Sequence, residues 1–269
     1  MSYCYLFVPG DRADRFQKAQ DSLANFIVID LEDAVAPLNK MLARENAMQW
    51  LGKGIPSTHK TIIRINGLDS EFYAGDVQSL SELTPAAIMV PKVESAQVLN
   101  ELEAKIGNQN ISFIPIIESA KGLVNVHAIA NGPRVDRLAF GSVDFQLDTA
   151  IPSEGEALLF ARSSIVIASA AAHLKPPIDG VSIALNDSDQ LALDIQYAKS
   201  LGFGAKLCIH PSQVHATLEG FQPSPQEVAW AKEVCLASEA SRGSAIRLNG
   251  KLIDLPVVLR AKRILGLIT

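Results

Sequence analysis

Two acids and one base stand where chemistry would need them. Glu118 and Asp144 each follow a short apolar run. Two carboxylates on neighbouring strand ends can grip a hard divalent cation and leave positions for substrate oxygens and water. No thiol pair or paired histidine competes nearby, so the expected ion is Mg2+, with Mn2+ able to substitute. Arg64, in Arg64-Ile65-Asn66, lies on another strand end, where its planar fork can bind a carboxylate or enolate oxygen through two hydrogen bonds. Arg12 could do the same from the first loop. Pro91 and Lys92, at a fourth strand end, are expected to line the substrate site with Arg12, Arg64 and Glu118. Glu32 and Asp33 are expected to stand behind them, holding metal-bound water or orienting Arg64.

Each residue also has a plainer reading. A polar residue just past a strand often caps a helix, and Asp11, Ser119 and Asp144 are placed to do so. Glu118 could cap the helix that follows it, Asp144 could pair with an arginine, and Arg64 could form an ion pair with Glu32 or Asp33. His210, before Pro211, reads as a hydrogen-bonded strand-end residue ahead of a general base. His59, His127, His173 and His215 read as surface residues without a partner. The chemical reading gains from recurrence, because polar groups follow nearly every apolar run.

Those runs are Cys4 to Val8, Phe26 to Asp30, Thr61 to Ile65, Ala87 to Val90, Ser112 to Ile117, Arg137 to Phe140, Ile178 to Val181 and Lys206 to Ile209. Segments with helical periodicity separate them, and eight βα units close most economically into a (β/α)8 TIM barrel of the α/β class. An open doubly wound sheet is the rival, but no G-x-G-x-x-G follows the first run. In a barrel, reactive groups collect where strands end, so the polar residues above would converge on one mouth. Residues 1–222 are read as the barrel. Residues 223–269 are read as a C-terminal helical extension, with a helix from Pro225 to Ser241, a turn at Asn249-Gly250 and a helical stretch from Pro256.

Composition narrows the partners. With 48% hydrophobic but only 6% aromatic residues, the core must be built from Ile, Val, Leu and Ala, as in parallel sheets buried on both faces. A net charge of -5 without a basic run argues against nucleic acid and against an anionic membrane surface. The apolar stretch from Ser163 to Ala172 is too short to span a bilayer, and Met1 to Gly10 lack the pattern of an export signal. Cys4, Cys208 and Cys235 are odd in number and far apart, which fits a reducing cytoplasm and no zinc site.

Taken together, Leu6-Phe7-Val8-Pro9-Gly10-Asp11-Arg12, Asp30-Leu31-Glu32-Asp33-Ala34-Val35, Arg64-Ile65-Asn66, Val90-Pro91-Lys92-Val93-Glu94-Ser95 and Ile114-Pro115-Ile116-Ile117-Glu118-Ser119 resemble the citrate lyase beta-subunit and malyl-CoA lyase family of the HpcH/HpaI superfamily. Phe140-Gly141-Ser142-Val143-Asp144, the run from Lys206 to Gln213 and the run from Asn249 to Val257 extend the likeness in the family's order. The resemblance implies that Glu118 and Asp144 bind Mg2+, that Arg64 contacts the oxo-acid, and that Asp254 is the catalytic acid/base, acting in trans on a neighbouring subunit of a homo-oligomer, a trimer or hexamer. By its position alone Asp254 would be an exposed turn residue. The implied reaction is cleavage of a 2-hydroxyacyl-CoA thioester such as citramalyl-CoA or malyl-CoA to acetyl-CoA plus pyruvate or glyoxylate. Three alternatives remain open: cleavage of a citryl thioester to oxaloacetate with an acyl-carrier protein, a pyruvate aldolase that does not use CoA, and a non-catalytic subunit of a complex. Two departures from the family pattern bear on substrate: Tyr3-Cys4 where an arginine is common, and Val143 where a glutamate often precedes the metal-binding Asp.

Overall fold

The structure, a computed structural model, describes residues 3–54, 60–81, 83–107, 111–241 and 244–267; His59 lies outside them. Eight parallel strands, β1 (Cys4–Pro9), β2 (Phe26–Asp30), β3 (Thr61–Arg64), β4 (Ala87–Val90), β5 (Ser112–Ile117), β6 (Ala139–Phe140), β7 (Ile178–Asp179) and β8 (Ala205–Cys208), pair in sequence order. β8 returns to β1, with Tyr5 opposite Leu207, and the sheet closes.

Alternation along each strand sorts the side chains. Ile27, Ile29, Ile63, Ile117 and Cys208 pack between the strands and the helices outside them. Tyr5, Val28, Ile62, Met89, Ile116, Ala139, Ile178 and Leu207, from all eight strands, form a separate cluster that fills the barrel. Because side chains repeat every second residue, the next position in the interior phase is fixed: Asp30 follows Val28, Arg64 follows Ile62, and Glu118 follows Ile116. The register agrees, with Asp30 opposite Arg64. The polar residues of three strands are thus delivered to one end of the barrel by the same periodicity that builds its core.

Two strands are shorter than expected. Of Arg137 to Phe140 only Ala139–Phe140 pair in the sheet, and of Ile178 to Val181 only Ile178–Asp179. Arg137 instead donates to the Tyr5 hydroxyl at 3.0 Å, and Gly180 leaves the ladder where an added Cβ would lie 2.6 Å from Ser142 Oγ. The Ser163 to Ala172 stretch belongs to a helix over Leu159–Ala171, and no helix among the described residues is long and apolar enough to cross a membrane.

The chain divides into two compact units, Met1–Phe221 and Gln222–Thr269. In the second, Ser224 and Glu227 form a reciprocal capping box with Pro225 at the first position of a helix over Pro225–Ala240. The Asn249-Gly250 turn joins two short antiparallel strands that the sequence reading missed, β9 (Ile246–Leu248) and β10 (Lys251–Ile253). Both turn residues have left-handed backbones, φ 49° and 78°, as a two-residue hairpin turn of this hand requires. A helix over Leu255–Ile264 follows, and Ala231, Val234, Ile253, Val258 and Ala261 give the unit its own small core.

Candidate active site

A cavity of about 370 Å³ is lined by Asp30, Asp33, Arg64, Glu118, Ser142 and Asp144 together with an apolar wall that includes Phe7, Ile116, Val181, Leu207 and Ile209. Arg64 is its organising cation. Its Nε and Nη2 donate to the two Asp30 oxygens at 2.7 Å each, and Nη1 lies 3.3 Å from Glu32 Oε2 and 3.5 Å from Asp33 Oδ2. The guanidinium also stacks over the Phe7 ring, 4.7 Å from its centroid. The principal partner of Arg64 is therefore Asp30, which the sequence reading had passed over for Glu32 or Asp33. Asp30 further accepts the amides of Glu32 and Ala34 at 2.9 Å, so one buried carboxylate fixes both the arginine and the Glu32-Asp33 turn. Burial alone would raise the Asp30 pKa, but the charge and hydrogen bonds of Arg64 outweigh it and hold it low.

Beneath that turn lies a group that no motif or periodicity marks. Lys40 is buried, and its ammonium donates to Leu31 O at 2.8 Å, Glu32 O at 2.7 Å and Asn66 Oδ1 at 2.7 Å. Asn66 is held in turn by Asp76 Oδ2, whose other oxygen accepts from Arg44 Nε at 2.7 Å. This chain of paired groups ties the loops after β2 and β3 together.

Glu118 is buried and accepts a hydrogen bond of 2.6 Å from the Lys92 amide. Its carboxylate rests over Gly141, where an added Cβ would lie 2.4 Å from Oε2. Burial pushes the Glu118 pKa up to about 8, and the negative charges of Glu32 and Asp144 push in the same direction. Glu32 is itself raised by burial and by Asp33, against the pull of Arg64 and Lys92. Asp144 stands in the first turn of the helix over Ser142–Thr149, half-buried, and among the described residues no arginine pairs with it. Like charges gathered around a buried carboxylate, with the buried Ser142 hydroxyl unpartnered beside them, are the environment a cation would relieve. Among the described residues no third His, Cys, Asp or Glu completes a cage. Two carboxylates and open positions suit Mg2+, which keeps several waters and borrows substrate oxygens.

The remaining expected residues fall in several places. Lys92 Nζ meets Glu32 Oε1 at 3.0 Å, and Pro91 is buried beside it. Arg12 does not line the cavity; it is exposed and pairs with Asp14 at 2.9 Å. Ser119, not Glu118, caps the next helix, accepting the Gly122 amide at 3.0 Å. His210 Nδ1 accepts the Ser212 amide at 3.2 Å, as a strand-end residue would. His215 is exposed but faces Glu219 at 3.3 Å, a partner the reading had not found. Asp254 lies in the second unit, where it caps the helix over Leu255–Ile264 by accepting the Val257 amide at 3.4 Å.

A second cavity, about 590 Å³, shares Val143, Val181 and Ile183 with the first but is centred on a buried Arg162–Asp179–Lys206 network. The smaller cavity is the one that holds the unrelieved acids.

The chain is similar to known proteins over nearly all of its length. The family described as HpcH/HpaI aldolase/citrate lyase matches residues 4–211. Citrate lyase subunit beta of Leuconostoc mesenteroides subsp. cremoris is 33% identical over 277 residues, covering 97% of this chain and 91% of that protein. Mitochondrial citramalyl-CoA lyase of Rattus norvegicus is 30% identical, covering 98% and 85%. The crystal structure of protein CitE from Mycobacterium tuberculosis, in complex with magnesium, acetoacetate and coenzyme A, superposes with a TM-score of 0.87 at 29% identity, covering 98% of this chain and 97% of that one.

Proposed function

The chain belongs to the HpcH/HpaI aldolase/citrate lyase family, and from that premise we infer that it is a Mg2+-dependent carbon–carbon lyase for a 2-hydroxyacyl-CoA thioester. The products would be acetyl-CoA with pyruvate or glyoxylate. The observation that carries this reading is the pairing of Glu118, surrounded by like charge, with Asp144 and an oriented Arg64 on one cavity. The names of the relatives, and the magnesium and coenzyme A of the CitE complex, support it.

In this reading Glu118 and Asp144 hold the ion. Bound Mg2+ supplies Lewis acidity, which makes a substrate hydroxyl easier to ionise and stabilises the keto acid as it forms. The rest falls to the chain's own groups. Nε and Nη2 of Arg64 are spent on Asp30, and its longest contact, from Nη1 to the exposed Asp33 at 3.5 Å, is the one a substrate carboxylate would share or displace. Breaking the carbon–carbon bond leaves a thioester enolate that must be protonated. We assign that proton to Asp254, delivered from a neighbouring copy in a homotrimer or hexamer, and Asp254→Asn should lower turnover while leaving metal affinity unchanged. The residues 223–269 would be the extension that carries it. A cytoplasmic location is supported by three free cysteines.

The wall of the cavity bears on the acyl group. Phe7, Ile116, Val181, Leu207 and Ile209 suit a methyl substituent on the carbinol carbon. A citryl substrate would bring a second carboxylate toward Asp33 and Asp144, and among the described lining residues the one cation, Arg64, already serves three acids. Incubating the purified protein and Mg2+ with citramalyl-, malyl- and citryl-CoA tests this. Citramalyl-CoA should exceed citryl-CoA in kcat/KM by at least roughly a hundredfold, since leaving a buried charge unpaired costs about 3–5 kcal/mol. Equal rates would remove the substrate assignment, and no cleavage of any thioester would remove the reading itself.

A further inference from the structure

Lys92 breaks the alternation that governs the strand it follows. On β4, Ile88 and Val90 face the helices while Ala87 and Met89 face the interior, so the next outward position should be residue 92. The outward position is instead taken by Val93, which is buried in the outer core and donates its amide to Ile116 O at 3.4 Å. One residue has been inserted, and it is Lys92, whose φ of 50° lies in the left-handed region that side-chain-bearing residues seldom adopt. Both flanks are pinned. Pro91 is buried before it, and the Val93 carbonyl is packed so closely on Gly122 that a Cβ there would lie 2.7 Å away.

What this unusual conformation accomplishes is visible at its amide. Lys92 N points at Glu118 Oε1, 2.6 Å away, and the side chain, turned out of the outward phase, reaches Glu32 Oε1 at 3.0 Å. We propose that Lys92 is a positioning residue that acts through its backbone, its left-handed conformation aiming the amide that sets the direction of the Glu118 carboxylate for metal binding. The ammonium is engaged separately, paired with Glu32. The inference rests on the reading of Glu118 as a metal ligand. It goes beyond that reading by assigning a task to a main-chain group, which no comparison of side chains would reveal.

Mn2+ binding to the purified full-length protein, followed by the electron paramagnetic resonance of the free ion, is the test. Lys92→Asn and Lys92→Val discard the same ammonium, but asparagine accepts the left-handed region and a β-branched valine does not. A difference from Lys92→Val that Lys92→Asn and Lys92→Gly share therefore belongs to the backbone. Lys92→Asn should bind Mn2+ within about threefold of the wild type and Lys92→Val at least about tenfold more weakly, the scale on which a strained backbone position registers. Equal weakening of both, or wild-type binding by Lys92→Val, would overturn the proposal. Lys92→Gly makes the test independent of whether the valine variant folds: it keeps the amide and the conformation, so tenfold weaker binding, about 1.4 kcal/mol, would also overturn it. Glu118→Gln separates this inference from its premise. If that variant binds Mn2+ like the wild type, both fall; if it loses Mn2+ while Lys92→Val does not, only the role of Lys92 falls.

Discussion

Gly141→Ala should damage the site without touching any charged residue. The backbone at Gly141, φ -90° and ψ 75°, does not require glycine, so the effect of alanine is steric. Its Cβ would lie 2.4 Å from Glu118 Oε2, 2.6 Å from Glu118 Cβ and 3.1 Å from Ile116 Cγ2. Because one clash is with Cβ, close to the backbone, Glu118 cannot escape by bending its tip alone. It must rotate, and the 2.6 Å bond from the Lys92 amide is strained or lost. Overpacking costs about 1–3 kcal/mol and a hydrogen bond to a charged group about 1.5–3 kcal/mol, and the two share one cause, so about 2–4 kcal/mol is a fair combined figure. Part will be lost as fold stability. If about half reaches the metal, Mn2+ affinity falls roughly 5- to 30-fold. Calorimetric titration with Mn2+, beside a thermal melt, separates the two parts. A Gly141→Ala protein that binds Mn2+ and turns over like the wild type would refute the argument that Glu118 is held by close packing on Gly141.

Further outcomes follow from the charges. Glu118, with its carboxyl pushed up to about 8, holds a proton below that pH, and only its ionised form binds a cation, so Mg2+ affinity should rise about tenfold per pH unit toward 8 and then level. Each ion should release close to one proton at about pH 7, measurable by titration in weak buffer. The same raised carboxyl, set against its ordinary value of 4.5, means that the metal-free fold loses stability as pH climbs from 4.5 to about 8, and Mg2+ should reverse this; a metal-free melting temperature that is flat or rising over that window would contradict it. Lys40→Met preserves the length of the stem but strands three acceptors. The cost of about 2–4 kcal/mol should lower the melting temperature by roughly 5–15 °C, and a change of only about 2 °C would show the turn to be held by other means.

The barrel was legible because its determinants are local and periodic. Runs such as Phe26 to Asp30 and Ser112 to Ile117 carry their own phase, and a strand end in a βα unit announces where polar groups will gather. Glu118, Asp144 and Arg64 stand at such strand ends, and the structure brings all three to one cavity. Arg137 and Val181 fell outside the sheet because pairing depends on partners in neighbouring strands, which no single run records. Asp30 could have been found by the same counting, since it shares the interior phase with Arg64, but Glu32 and Asp33 drew attention as loop residues. Lys40 gave no such signal. Its role depends on three acceptors brought together from two loops, and in sequence it is one more lysine at a helix start. The backbone of Lys92 lies further out of reach, because alternation predicts where side chains go and the insertion is visible only once Val93 is seen in the outer core.

In the proposed reaction Glu118 and Asp144 together hold the ion on which cleavage depends. The most direct test is the rate of acetyl-CoA release from (S)-citramalyl-CoA as Mg2+ is titrated into the wild type and into the Glu118→Gln, Asp144→Asn double variant. The wild type should show saturable dependence on Mg2+ and no activity in a chelator, and the double variant should stay at least about a thousandfold slower at every Mg2+ concentration, the scale of several kcal/mol of lost charge stabilisation. Cleavage by the double variant at the wild-type rate, or by the wild type in excess chelator, would show that Glu118 and Asp144 hold no ion the reaction needs.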